Sequence, residues 1–147
     1  MPAPVYNDEA RHLPRQVELK FSFKLGTSGT GAPTIIRDGG GRMVASVGAI
    51  IANLQLITFK TWDQAPGLRL PRQLTHATVQ IHSASAATRT AHPEIIVDSY
   101  SASAGTIQLV WRVTSTGAAG TGSGLAAGDM VNVVLCGPLE DFAKDAA

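Results

Sequence analysis

Residues 106–135, TIQLVWRVTSTGAAGTGSGLAAGDMVNVVL, contain two apolar runs rich in β-branched residues, joined by a stretch dense in glycine and alanine. Val, Ile and Trp suit a pleated, half-buried surface. The joining stretch has no helical period and many residues that tolerate turn geometry. The segment therefore predicts a long β-hairpin that closes the core of an all-β domain. The core face of its first strand is expected to carry Ile107, Leu109, Trp111 and Val113.

Other strands are predicted along the rest of the chain. The cleanest is residues 16–25, in which five apolar residues alternate with polar ones, a period that indicates one buried and one solvated face. The remaining strands are predicted at residues 34–37, 42–47, 53–60, 74–83 and 93–100. We expect the first two of these to form a hairpin across a glycine-rich turn. Short strands separated by turn signals are typical of a single antiparallel β-sandwich or barrel, here expected to be jelly-roll-like.

The two ends of the chain differ from this pattern. Residues 1–15, MPAPVYNDEARHLPR, carry three prolines and no sustained period, and proline favours extended geometry. Two interpretations stay open: a frayed terminus, or an extended N-terminal arm that contacts a neighbouring subunit through Val5, Tyr6 and Leu13. The β-domain is then expected to span residues 16–137, and residues 138–147 to form a short helix or a loose tail.

The composition indicates one folded domain of low charge. A chain of 147 residues fits a single domain with a sizeable core. Charged residues make up 16% of the chain, with a net charge of +1, against about 25% in typical soluble domains. The sequence offers no basic run for nucleic acid, no signal peptide and no apolar run of the roughly 18 residues that cross a bilayer. We therefore expect no nucleic-acid or membrane partner, and synthesis in a cytoplasm.

The usual residue patterns for catalysis or metal binding are missing from the sequence. The glycine cluster at residues 26–31 lacks the lysine and helix of a phosphate-binding loop, and the glycines around Ser123 do not form a nucleophile elbow. Cys136 follows an apolar strand and is expected to be a small buried hydrophobe. His76 and His82 lie on the same face of a predicted strand, six positions apart. At about 3.3 Å per residue they are about 20 Å from each other, which is too far for them to bind one metal ion together. We predict no enzymatic activity, no cofactor and no metal.

Two further segments leave alternatives open. Trp62 lies in a predicted loop beside polar residues; it either caps the core or stacks on a sugar, as in a carbohydrate-binding module. The glycine-rich stretch 116–128 is either a flexible tip or a contact loop. In the second case Thr121 and Ser123 would face a partner.

Two stretches in the C-terminal third carry a family resemblance. VDSYSASAGTIQL at residues 97–109 and LAAGDMVNVVL at residues 125–135 resemble small β-rich structural proteins of tailed-bacteriophage virions, of the capsid decoration (cement) type. The resemblance lies in a strand–turn–strand followed by a loop that enters the last strand, and it transfers no individual functional residue.

The resemblance implies a β-barrel or sandwich that binds the exterior of an assembled capsid and stabilises it, commonly as a homotrimer. The expected partner is the major capsid protein of the same virion. The expected location is the capsid surface, after assembly in the host cytoplasm. A phage tail, fibre or connector component is the alternative within the same class.

Overall fold

The computed structural model describes residues 16–37, 42–61, 63–83 and 87–139. A short 3-10 turn, Thr27–Gly29, follows the first strand. The eight strands in chain order are β1 (Gln16–Lys24), β2 (Thr34–Arg37), β3 (Val44–Val47), β4 (Leu54–Phe59), β5 (His76–His82), β6 (Ala91–Ser101), β7 (Thr106–Val113) and β8 (Met130–Pro138).

The strands form two four-stranded antiparallel sheets that pack on each other. Sheet I has the order β2-β1-β8-β5, and sheet II has the order β3-β4-β7-β6. One hydrophobic cluster draws on both sheets, with Phe21 and Phe23 from sheet I and Ile57 and Trp111 from sheet II. The prediction of an antiparallel β-sandwich or barrel is confirmed, in its sandwich form. The first and last strands are neighbours, as in a jelly roll. In a jelly roll the second and seventh strands are neighbours too, whereas β2 and β7 here lie in different sheets. The sandwich therefore shares only part of the expected jelly-roll topology.

The predicted hairpin over residues 106–135 is wrong. β7 pairs with β4 and β6 in sheet II, whereas β8 pairs with β1 and β5 in sheet I. The connection between them therefore crosses from one sheet to the other. Each strand nevertheless buries its predicted apolar face, so that Trp111 and Leu135 belong to the same core. Side-chain alternation identifies the face that a strand buries, but it does not identify the neighbouring strand.

The predicted hairpin between residues 34–37 and 42–47 is also wrong. β2 pairs with β1, and β3 pairs with β4, so the connection between β2 and β3 also passes from sheet to sheet. Both are four-residue strands at the edge of their own sheet. Two strands this short form a stable layer only on a larger sheet, and each adds to a longer neighbour instead.

β8 continues to Pro138, three residues beyond its predicted apolar run. Cys136 therefore lies inside the strand, where it is half-buried on the outer face of sheet I. Its predicted place as a buried hydrophobe after the strand is wrong. The strand extends because Gln16 and Pro138 are paired at the end of the β1–β8 ladder, a terminal position that a proline tolerates.

The strand directions gather the connections at two ends of the sandwich. The upper end holds the β1–β2, β3–β4, β5–β6 and β7–β8 connections, and the lower end holds the β2–β3, β4–β5 and β6–β7 connections. The described chain begins at Gln16 and ends at Leu139. Both residues lie at the lower end, because Gln16 is paired with Pro138.

Candidate interaction surfaces

The structure describes two of the residues predicted to face a partner, Thr121 and Ser123. Both lie in the β7–β8 connection at the upper end, where Ser123 is exposed and Thr121 is half-buried. The others fall outside the described residues, so their contacts and the alternatives for Trp62 stay predictions. These residues are Val5, Tyr6, Leu13 and Trp62.

The β7–β8 connection is hydrogen-bonded to its own chain. The Ser123 N–H donates to Thr90 Oγ1 at 2.7 Å, and the Thr90 N–H donates to the Ser123 carbonyl at 2.8 Å. Farther along, the buried Asp129 carboxylate accepts from the Ala126 N–H at 3.0 Å and from Ser83 Oγ at 2.7 Å. These contacts fix both halves of the connection against the β5–β6 connection. They disagree with the flexible-tip interpretation, and the contact-loop interpretation stays a prediction.

The outer face of sheet I is mainly polar. Its central strand β8 presents Asn132 and Val134, and the strands on both sides add charged and amide side chains. The polar side chains on this face include Glu18, Lys20, Ser22, Lys24, His76, Thr78, Gln80 and His82. Such a face is well solvated and needs no partner.

One row of this polar face brings a carboxylate, a thiol and an imidazole side by side. Glu18, Cys136 and His76 occupy paired positions on β1, β8 and β5. The Cys136 thiol donates to Glu18 Oε2 at 3.6 Å. Partial burial and the adjacent carboxylate both raise the pKa of the Cys136 thiol, whereas a nucleophilic cysteine needs a lowered one. The row therefore holds a protonated thiol and lacks the character of a catalytic site.

A second polar cluster lies at one corner of the outer face of sheet II. Glu94 accepts from Arg112 Nε at 2.8 Å and contacts His92 Nε2 at 3.2 Å. The His92 hydrogen bond, and after it Arg112, lowers the pKa of the Glu94 carboxyl. Exposed ion pairs of this kind contribute about 0–1 kcal/mol to stability. The main effect of the cluster is therefore that the charges of Glu94 and Arg112 compensate each other. Within the described ranges, no three His, Cys, Asp or Glu side chains could hold a metal ion.

Next to this cluster, the outer face of sheet II presents several apolar side chains around Gln108. Leu54 pairs with Val110, and the row beside it runs from Leu56 through Gln108 to Ile96. Ile51, bridged to Leu54, is 73% exposed, and Leu56 is 44% exposed. Leu54 and Ile96 beside them are half-buried, and Val110 is buried among its neighbours. Contiguous exposed apolar side chains mark interaction sites more often than isolated ones do. We call this surface the apolar patch and define it as Ile51, Leu54, Leu56, Ile96 and Val110.

The sequence contains a signal for the patch that the strand predictions did not use. In β7 the run Leu109-Val110-Trp111 breaks the alternation, because Val110 is an apolar residue at a position that faces outward. In β4 the usual pattern is inverted, with apolar residues facing outward and a polar residue facing the core. Its outward positions hold leucines, whereas the inward Gln55 is fully buried.

The lower end contains a pocket of about 390 Å³. Its floor is apolar and consists of Phe59, Leu68 and Leu70, and the β6–β7 turn at residues 102–105 forms one wall. Its cationic residues are Lys60, Arg69 and Arg72. Among the described residues that line it, none is acidic. We call this site the lower pocket.

Backbone contacts hold the walls of the lower pocket. The Phe59 N–H donates to the Gly105 carbonyl at 2.7 Å, and the Arg72 N–H donates to the Pro138 carbonyl at 2.7 Å. Segment 72–75 lies so close to β8 that a Cβ added to Gly137 would come within 1.8 Å of the Gln73 carbonyl oxygen. Arg72 is thereby positioned beside the end of the last strand. The lining residues come from the end of β4, the irregular segment 68–72 and the turn at residues 102–105, and these segments share no periodic pattern that predicts the site from the sequence.

No family model, no curated protein and no solved structure matches this chain. The described part of the chain also contains no helix of the length and apolarity needed to cross a membrane. Three surfaces distinguish the molecule: a polar sheet face, an apolar sheet face and a cationic pocket.

Proposed function

We propose that this protein is a non-enzymatic virion structural protein, which binds the exterior of an assembled phage capsid as a decoration protein and stabilises it. The observation that carries the proposal is the apolar patch on sheet II. A two-layer sandwich already has a complete core between its sheets, so an apolar outer face has no role in that core. A partner protein that covers the patch accounts for it. The family resemblance of residues 97–109 and 125–135 is what favours a phage capsid as the partner.

The patch suits a protein partner with an apolar counterpart. The charges at its corner are already neutralised, because Arg112 is bonded to Glu94, and a partner need not supply opposite charges. Covering a fully exposed leucine or isoleucine contributes about 1.5–3 kcal/mol. We assign the major capsid protein as the occupant of the patch.

One patch gives weak binding by itself, because association costs an estimated 4–15 kcal/mol of lost freedom. A homotrimer would present three patches to the same shell, and linked contacts multiply the affinity. Binding to the assembled shell in preference to its free subunits stabilises the shell by mass action. This is why we include a trimer in the proposal.

The test uses capsid shells of the virus that carries this chain, prepared without the protein. Added protein should co-sediment with the shells and raise the temperature at which they open. Leu56→Glu places a charge in the patch and should reduce the affinity at least about tenfold, which corresponds to about 1.4 kcal/mol. Thr78→Glu, on the outer face of sheet I, is the matched control and should bind like the unmodified protein.

Two results would contradict the proposal: a strict monomer by light scattering that has no affinity for shells, or binding that Leu56→Glu leaves unchanged. Rings or fibres formed by the isolated protein would instead support a tail, fibre or connector component, and electron microscopy of native particles would locate it. A glycan array, repeated with Trp62→Ala, tests the carbohydrate-binding alternative.

A further inference from the structure

We propose that the β3–β4 turn is the anchor of the apolar patch, and that Ile51 in this turn inserts into an apolar pocket of the major capsid protein. This inference rests on the proposed function and deepens it, because it states the shape that the partner surface must have. Three features of the turn carry it: the exposure of Ile51, the hydrogen bonds that fix the backbone around it, and the conformation of Ala52.

Ile51 is the most exposed large apolar side chain in the described part of the chain. It is 73% exposed, whereas its neighbour Ile50 packs against the hydrophobic core. The other exposed apolar side chains are only 41–49% exposed, and they are Ile36, Leu56 and Val97. A single exposed apolar residue is ordinary on a protein surface. Ile51 is not isolated, because it is bridged to Leu54 and continues the patch at its upper end.

Hydrogen bonds fix the backbone on both sides of Ile51. Its N–H donates to the Leu54 carbonyl at 2.9 Å, and its carbonyl accepts from the Leu54 N–H at 3.0 Å. The Asn53 carbonyl accepts from the Trp111 N–H of β7 at 2.8 Å, and the Ile50 N–H donates at 3.0 Å to a carbonyl of the β1–β2 connection. The turn is thereby tied to both sheets. Binding has little backbone freedom left to remove here, so the ordering cost of the contact is small.

The turn keeps a conformation that alanine disfavours. Its two central residues, Ala52 and Asn53, have φ values of +51° and +65°. Positive φ at both positions is typical of the type I′ turn, which favours asparagine and glycine. Asn53 fits this preference, whereas the Cβ of Ala52 is crowded in the left-handed region. Strained positions cluster at functional sites, and this one lies directly beside the most exposed apolar side chain.

A fixed and exposed isoleucine is suited to a concave partner surface. The residues that dominate an interface lie in closely packed pockets from which water is excluded. Ile51 has more area left to bury than the half-buried Leu54 or the buried Val110, and the gain from burial grows with the apolar area removed from water. A flat surface would cover only one side of the Ile51 side chain. We therefore assign the largest share of the patch's affinity to Ile51.

A series of substitutions at Ile51 tests the pocket, with affinity for capsid shells measured by co-sedimentation. Ile51→Ala should reduce the affinity at least about tenfold. Ile51→Val should reduce it about fourfold, the ratio that corresponds to one buried methylene. Ile51→Phe should also reduce it, by about fivefold or more, because a closely packed pocket does not accept a larger side chain. Losses in both directions of size distinguish a pocket from a flat contact.

Ile36→Ala is the matched control. Ile36 is an exposed isoleucine on β2 in sheet I, so its replacement should leave the affinity for shells unchanged. The Ile51 variants should keep the midpoint of thermal unfolding, because this side chain lies outside the core. A loss of affinity then reports on the contact and not on the fold.

The outcomes separate this inference from the proposed function. If the unmodified protein does not bind shells, both are overturned. If it binds and Leu56→Glu weakens the binding, but the Ile51 variants bind like the unmodified protein, only the anchor is overturned. Undiminished binding by Ile51→Phe would overturn the pocket. A change of oligomeric state in Ile51→Ala by light scattering, with unchanged affinity for shells, would assign Ile51 to a contact with a second copy and overturn the inference as well.

Discussion

At the scale of single residues, a buried polar pair fixes the position of Trp111. The indole Nε1–H donates to Gln55 Oε1 at 3.1 Å, and Gln55 Nε2 donates to the Gly48 carbonyl at 3.0 Å. Trp111 and Gln55 are both fully buried. A buried indole N–H needs an acceptor, and here an inward-facing glutamine on the neighbouring strand supplies it. This explains a polar residue at a core position of β4.

The Gln55–Trp111 pair leads to a prediction about stability. Gln55→Leu leaves the indole N–H without an acceptor inside the core, and we expect it to lower the free energy of unfolding by about 1–3 kcal/mol. Urea denaturation followed by tryptophan fluorescence measures the change. Gln80→Leu, on the solvated face of β5, should stay within about 0.5 kcal/mol. A Gln55→Leu variant as stable as the unmodified protein would contradict this role.

A second prediction concerns the Cys136 thiol. Burial, and after it the Glu18 carboxylate, raises the pKa of this thiol, so alkylation by iodoacetamide should accelerate only above the ordinary thiol pKa of about 8.5. Glu18→Gln removes the negative charge that disfavours the thiolate. The pH midpoint of the alkylation rate should therefore move down. It should stay above the ordinary thiol pKa, because the partial burial of Cys136 persists in the variant.

Lys20→Gln provides a control of opposite sign for the thiol measurement. The Lys20 cation lowers the pKa of the Cys136 thiol, so its removal should move the midpoint up. If both variants shifted the midpoint in the same direction, electrostatics from β1 would not be the cause.

At the scale of elements, the β7–β8 connection between the sheets makes backbone contacts with both of them. The β7–β8 connection pairs Ala119 with Arg112 of β7, and its Gly128 N–H donates to the Leu25 carbonyl at 2.8 Å beyond the end of β1. The connection is thereby anchored to both sheets. It closes the upper end of the core and is not a free loop.

The Thr90–Ser123 contact predicts a local effect on this connection. Thr90→Val removes the hydroxyl that accepts from the Ser123 N–H, a bond that contributes about 0.5–1.5 kcal/mol. Hydrogen exchange of the Ser123 amide should accelerate by up to about tenfold, which corresponds to about 1.4 kcal/mol, while the strands keep their protection. Thr78→Val on β5 should leave this exchange unchanged. Equal exchange in the two variants would mean that the contact does not hold the connection.

At the scale of the whole molecule, the two outer faces have opposite characters. The outer face of sheet I mixes charges with amides, whereas that of sheet II presents the apolar patch beside a neutralised ion cluster. Among the described residues, the buried cluster shared by the two sheets begins in β1. We predict that the segment before β1 contributes to partner binding and not to the fold.

Deletion of residues 1–15 tests this division of roles. The shortened chain should keep the midpoint of thermal unfolding within about 2–4 °C, a shift that corresponds to roughly 1 kcal/mol in a domain of this size. Its affinity for capsid shells should fall, because Val5, Tyr6 and Leu13 are the predicted contacts of the arm. Co-sedimentation with shells measures the loss. Unchanged affinity would identify the segment as a frayed terminus.

Side-chain periodicity was enough to predict the class of the fold and most of the buried faces. A period of two is a local property, so residues 16–25 revealed both a strand and the side of it that Phe21 and Phe23 bury. The same property placed Trp111 in the core. It could not indicate which strands pair, since a strand buries the same face beside any neighbour, and both predicted hairpins failed for this reason.

Which residues lie side by side on the surface depends on the pairing of distant strands. Strand order aligned Glu18, Cys136 and His76 from three distant segments, and it turned the leucines of β4 and Val110 of β7 into one patch. The lower pocket likewise exists because the end of β4, the β4–β5 connection and the β6–β7 turn meet at one end of the sandwich. Surfaces of this kind depend on contacts between residues far apart in the chain. Local side-chain preferences therefore cannot predict them.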